Sequence, residues 1–182
     1  MGNLKKNLYL VAPMEGYTPE IGRLVSMMNY ARRTTLDEVE SLSVEHLDYL
    51  HDPQSNSIGA LLLHIAAVET FYQTATFGSS AAAASEKGQW EAALNLGTRA
   101  RRQIKGHSVD HYMRILEGVR SKTFEEFAKR DDRWLDEEAP FWDGQPANNY
   151  FKWFHVFEDE INHRGQIRWL RKRAVVISAT TR

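Results

Sequence analysis

His155, Asp159 and His163 recur at steps of four within the stretch Ala147 to Ala174, ANNYFKWFHVFEDEINHRGQIRWLRKRA, which reads as one long helix. At ~3.6 residues per turn such residues stack on a single face, so a carboxylate and an imidazole placed this way can grip one divalent ion, as the two histidines of an HExxH helix do. Two alternatives compete. Phe154, Phe157 and Ile161 define the apolar side of the same wheel, with Asp159 roughly opposite, an arrangement that equally suits a solvated polar face. Glu160 and His163 have the Glu-x-x-His spacing of dinuclear carboxylate bundles, but such sites need a matching pair on a facing helix, and the second long helix has none. Ile167 and Leu170 continue the Asp159 side beyond His163, so that side is not simply wet.

A helix that supplies two ligands needs a third from elsewhere, and the segment NSIGALLLHIAAVETFYQ offers one. This second long helix opens at Asn56 or Ser57. Its polar residues Glu69, Thr70 and Gln73 share one side, while His64 falls opposite, among Ala60, Leu61, Ala67, Val68 and Phe71. Taken alone, a histidine on a buried face is more often a hydrogen-bonded core residue than a ligand. Here the small Ala60 and Ala67 leave room for an approaching group. Two imidazoles and one carboxylate suit a mononuclear ion and leave positions open for water or substrate, as in a catalytic rather than a structural centre. Such an ion is a Lewis acid that lowers the pKa of a bound water or thiol. His155 and Glu158 are reserve ligands. Arg164 and Gln166 could orient a substrate or simply make helix-surface contacts.

The remaining elements must hold these residues. Thr18-Pro19 predicts the start of a first helix, with Ile21, Leu24, Val25 and Met28 at helical spacing, running to about Ser41. Ser43 caps a short turn through His46 and Leu47, and Asp52-Pro53 with Gln54, Ser55 and Asn56 breaks the chain. From Gly78 to Gly106 the pattern weakens. The Ala81 to Ala84 run contributes little burial, and this stretch reads as an irregular crossover with a short helix around Trp90 to Leu96, long enough for the next helix to run parallel to its predecessor. Ser108 caps a third helix striped with Tyr112, Ile115, Leu116 and Val119, and a Thr123/Glu126 capping box predicts a separate short extension. His46, His51, His107 and His111 read as surface residues. DDRWLDEEAPFWDGQPANN predicts a packed loop or short hairpin turning at Asp143-Gly144, a lid over one end of the bundle, with Trp134, Phe141, Trp142 and Phe71 as candidate pocket walls. Asn148 or Asn149 caps the fourth helix, and the tail from Ala174 to Arg182 favours strand over helix.

Composition narrows the functional classes. The 182 residues fit one domain with a core over about 18–174 and irregular tails, and 42% hydrophobic content is enough to fill that core. With 23 Lys+Arg against 24 Asp+Glu there is no global field for nucleic acid, and the basic block Arg168 to Arg173 reads as a solvated helix end. No cysteine is present, so disulfides, thiolate metal ligands and a cysteine nucleophile are excluded, and any ion must be held by His, Asp or Glu. The opening MGNLKKNLYLVAPMEG has too few apolar residues for a signal peptide, Lys6 stands where a myristoylation signal needs Ser or Thr, and no run approaches the ~20 apolar residues of a membrane span. The expectation is a soluble cytoplasmic protein. No Ser/His/Asp arrangement or glycine-rich phosphate loop competes with the metal reading.

The pairing of NSIGALLLHIAAVE with FHVFEDEINHRGQIRWL resembles the DinB/YfiT-like family of metal-dependent enzymes, which includes bacillithiol- and mycothiol-dependent S-transferases and isomerases. The resemblance spans Thr18 to Arg173, and its specificity lies in the histidine of the second helix and the HRGQ block. It implies an all-α four-helix bundle with a long crossover, commonly a homodimer, acting on a small molecule. It also implies one divalent ion (zinc, nickel or similar) on His64, Asp159 and His163, with a low-molecular-weight thiol as cosubstrate. Many members carry His or Glu where this chain has the shorter Asp159. The chemistry implied is hydrolysis or S-transfer, and the contrasting expectation is a noncatalytic, stress-associated metal-binding bundle.

Overall fold

The computed structural model describes residues 8–78 and 87–180. Among them are eight α-helices: α1 (Pro19–Leu36), α2 (Val44–Asp48), α3 (Ile58–Phe77), α4 (Lys87–Asn95), α5 (Gly97–Gln103), α6 (Val109–Phe127), α7 (Asp132–Leu135) and α8 (Asn149–Thr180). A two-stranded antiparallel ribbon, β1 (Glu138–Pro140) with β2 (Pro146–Asn148), precedes α8. The fold is the expected all-α bundle, with α1, α3, α6 and α8 as its long helices. Residues 1–7 and the Ala81 to Ala84 run lie outside the described residues.

Cross-helix contacts give the helix directions. Gly59 meets Tyr112 while Gln73 donates to the Thr123 hydroxyl, so α3 and α6 run parallel. The expected crossover makes this possible, and its described residues form two helices, α4 and α5, rather than one. Tyr150 reaches Glu20 and Arg168 reaches Glu38, so α1 and α8 also run parallel. Trp153 donates to Thr76 while His64 faces Asp159, which makes α3 and α8 antiparallel. Helix α3 packs against both α6 and α8, and its buried positions include Leu61, Leu62, Ile65 and Ala66. Gly59 permits the closest approach to α6: a Cβ there would lie 2.5 Å from the Tyr112 hydroxyl.

Helix ends follow local chemistry in most places. Ser57 Oγ accepts from the Ala60 N–H, and Asn148 Oδ1 accepts from the Phe151 N–H. Asp143 and Gly144 both adopt positive φ, 54° and 73°, which makes the turn expected of this dipeptide. The starts of α6 and α1 differ: Ser108 makes no side-chain cap at α6, contrary to expectation. Thr18 makes no side-chain cap; Asp132 Oδ1, from α7, accepts from the N–H groups of Glu20 and Ile21 and so caps α1 from another element.

Several sequence expectations are corrected. The first helix ends at Leu36 and continues to Ser41 only as turns. Thr123 opens no new helix: it lies inside α6, fully buried, and donates to Glu69 Oε1 at 2.7 Å. The tail is helical through Thr180, because α8 continues rather than giving way to a strand. The basic block is therefore not a last turn. Arg168 and Arg171 both pair with Glu38, and Arg173 lies over the Trp169 ring. His107 and His111 are half-buried, with rings stacked 4.0 Å apart, rather than free surface groups.

The wheel of α8 also needs revision. Phe154 and Ile161 are exposed, and the buried stripe runs through Trp153, Val156, Glu160, Arg164 and Ile167. Glu160 lies on that stripe because two arginines meet it. Arg32 Nε donates to Glu160 Oε1 at 2.9 Å, and its Nη2 donates to Glu69 Oε2 at 3.1 Å. Arg120 Nε donates to Glu69 Oε1 at 2.8 Å, and its Nη2 donates to Glu160 Oε2 at 3.1 Å. Each long helix thus supplies one charge to a buried, neutral square. Glu69, on the polar side of the α3 wheel, is buried for the same reason, and Gln73 on that side is buried because its amide donates to the Val119 carbonyl and the Thr123 hydroxyl. Glu160 is thereby committed to ion pairs, which removes it from a dinuclear site.

Candidate metal centre

One turn from this square, α3 and α8 bring His64, Asp159 and His163 together, with one potential ligand atom from each within 4.8 Å of the others. The antiparallel packing of the two helices creates this meeting. His64 Nε2 lies 3.7 Å from Asp159 Oδ2, and His163 Nε2 lies 3.4 Å from Asp159 Oδ1. Donors bound tetrahedrally at ~2.0–2.2 Å from a common ion stand roughly 3.4 Å apart, so these separations leave room for one. The imidazole rings of His64 and His163 meet edge to face at 4.6 Å.

Protonation and hydrogen bonding fit the same purpose. His64 Nδ1 lies 2.8 Å from the Ala93 carbonyl oxygen. A carbonyl only accepts, so in the neutral ring Nδ1 carries the proton and Nε2, on the Asp159 side, keeps its lone pair, the arrangement that orients metal-binding histidines. Asp159 Oδ2 and His163 Nδ1 are buried with no hydrogen-bond partner among the described residues, and the first is a donor atom awaiting an electrophile. Burial opposes ionisation of Asp159, yet His163 and His64 outweigh it and hold the carboxyl well below the usual carboxylate range. Burial alone would lower the His64 pKa, but Asp159 and the Ala93 carbonyl together raise it. The nitrogen–nitrogen–oxygen donor set therefore suits a divalent ion of the zinc class.

The reserve ligands stand apart from this group. His155 Nδ1 and Glu158 Oε2 pair with one another at 2.9 Å, one turn towards the N-terminus of α8. Around His155 stand Trp142 (5.0 Å between ring centroids), Tyr72 (5.9 Å) and Phe151 (6.3 Å). Phe141, which packs beside Tyr72, and Trp142 are carried by the segment between the two ribbon strands before α8. Phe71 is instead exposed, and Trp134 is buried and stacked on Phe77, so neither joins that wall. Tyr72 was not evident as a site residue; burial, with the Asp159 charge nearby, pushes its phenol up to about 12. The Ala93 carbonyl was equally hidden, since nothing in a sequence marks a backbone acceptor 29 positions away. Arg164 is buried against Thr34 and the Tyr30 ring, whereas Gln166 lines an open groove of about 580 Å³ with Gln54, Asn56 and Trp169.

Comparison with known proteins bears on the fold and the family. A conserved protein from Enterococcus faecalis, known from its crystal structure, superposes with a TM-score of 0.69 over 84% of this chain and 95% of that one, at 14% identity, a likeness of fold. No match was found among curated proteins. The sequence model of the mycothiol-S-transferase family matches residues 23–174, and the chain, in keeping with its DinB/YfiT-like resemblance, belongs to that family.

Proposed function

We propose that this protein holds one divalent ion on His64, Asp159 and His163 and transfers a low-molecular-weight thiol of the mycothiol kind to a small electrophilic substrate. The observation that carries this reading is the convergence of three donor atoms from α3 and α8, with the lone pair of His64 Nε2 fixed towards them by the Ala93 carbonyl. Bound there, the ion would supply Lewis acidity that lowers the pKa of a coordinated thiol or water. Three protein ligands leave coordination positions for substrate, and the aromatic wall of Tyr72, Phe141 and Trp142 gives an apolar electrophile a surface to rest on. The family's name favours S-transfer over hydrolysis.

Metal analysis of the purified protein tests the site. About one ion per chain is expected, lost in His64→Ala, and stoichiometric metal unaffected by that change would sink the assignment. Turnover is a separate matter, tested by thiol-consumption assays with zinc or nickel restored to the metal-free protein. Metal without any thiol conjugation or hydrolysis would favour the noncatalytic bundle. We also propose that the chain forms a homodimer, supported by the exposed apolar surface at Tyr9, Val11, Tyr30 and Ile161, and sedimentation of the wild-type protein against Ile161→Lys tests it.

A further inference from the structure

His155 and Glu158 are more than a helix-surface pair. Glu158 accepts from His155 through Oε2 at 2.9 Å, while its Oε1 accepts from the Asn162 side-chain amide at 3.0 Å. The carboxylate is thus held from both sides, and it fixes the imidazole as a base-and-orienter pair requires. An ionised carboxylate only accepts, so the neutral imidazole carries its proton on Nδ1 and leaves a lone pair on Nε2. Among the described residues, Nε2 makes no hydrogen bond. The ring is further restrained by Phe151, stacked nearly parallel at 5°, and by the edges of Trp142 and Tyr72.

This oriented base stands four residues before Asp159 on the same helix, and side chains so spaced are neighbours, roughly 5–6 Å apart at Cβ. The Tyr72 ring stands edge-on to the His155 ring at 5.9 Å, and burial together with the Asp159 charge raises its phenol. Around His155, Glu158 is acidic, Tyr72 is a phenol, and Trp142 and Phe151 are uncharged.

We propose that His155 Nε2 is the proton acceptor for the thiol that enters the metal centre, with Glu158 as its positioning residue. The inference rests on the thiol-binding reading above. In the step, the S–H bond breaks and an Nε2–H bond forms, leaving a sulfur anion and an imidazolium whose charge Glu158 balances. Thiol and acceptor exchange one proton, and no other reactant is required.

Calorimetry of 2-mercaptoethanol binding to the zinc-loaded protein, in buffers of different ionisation enthalpy, reads where that proton goes. At about pH 7.5 wild type should release close to zero protons to the buffer per thiol, and His155→Gln about one. Glu158→Gln should fall between them with zinc content unchanged. Equal proton release by wild type and His155→Gln overturns the inference while leaving the thiol reading intact. Absence of thiol binding to both overturns that reading and the inference with it. Should His155→Gln not fold, long-range ¹H–¹⁵N spectra of wild type decide the matter: Nε2 must change from unprotonated to protonated on thiol addition, and an unchanged Nε2 refutes the assignment.

Discussion

At Asp159 burial and two imidazoles pull in opposite directions, and the imidazoles prevail. The consequence for metal binding can be read from His64. A proton on Nε2 and an ion on Nε2 exclude each other, and the His64 pKa is raised above the ordinary ~6.5, so protons compete at a higher pH than for a free histidine. Zinc affinity is therefore expected to fall as pH drops through neutrality, beginning above ~6.5, as chelator competition at a series of pH values would record. For the metal-free protein the sign reverses: the His64 contribution to stability is complete below ~6.5 and lost as pH rises through its raised pKa. The Asp159 contribution is present above ~3.9 and lost as pH falls through its depressed one. Asp159→Asn keeps the size of the side chain and removes its charge. Loss of an outer-shell partner alone costs ~10–100-fold in metal affinity, so this change of a ligand should cost at least about 10-fold.

Between helices, the square of Arg32, Glu69, Arg120 and Glu160 fixes how α1, α3, α6 and α8 register. Truncating one member leaves buried charge unpaired, whereas replacing every member by apolar groups can be nearly neutral. Arg120→Met should accordingly destabilise by about 3–5 kcal/mol, on the order of 10 °C in Tm for a chain of this size. Arg120→Lys should rescue little, because a point-charge ammonium cannot reproduce the guanidinium fork that meets both glutamates and the Met28 carbonyl. Burial opposes ionisation of Glu69, but Arg120 and Arg32 hold its pKa below the ordinary value. Its contribution is thus present above ~4.3 and lost as pH falls through the depressed pKa, so acid titration of circular dichroism should show wild type losing stability below that pH.

For the molecule as a whole, the candidate centre joins α3 to α8 across about a hundred residues of intervening chain, so an ion that binds only the folded state acts as a staple. Free metal at a hundred times its Kd would add about 2.7 kcal/mol to unfolding. Thermal unfolding with and without a chelator should therefore differ in wild type and coincide in His64→Ala. No described helix is long and apolar enough to cross a membrane.

Periodicity and capping chemistry made the bundle legible. The apolar stripes of α1 and α6, Ser57 before α3, and the long low-pattern segment between α3 and α6 each act through neighbours in sequence, and each led to the element observed. Where the cause lay elsewhere in the chain, the sequence misled. Thr123, Glu69 and Gln73 looked like cap and solvent residues because their partners sit on other helices, and Asp132 caps a helix more than a hundred residues earlier. The ligand types and their four-residue spacing on α8 were written in the sequence, as was a histidine on the buried face of α3. Their meeting was decided only by the antiparallel packing of α3 on α8. Contacts from α1 and α6 committed Glu160 to ion pairs, and α4 set the Ala93 carbonyl against His64 Nδ1, none of which residues adjacent in sequence could signal.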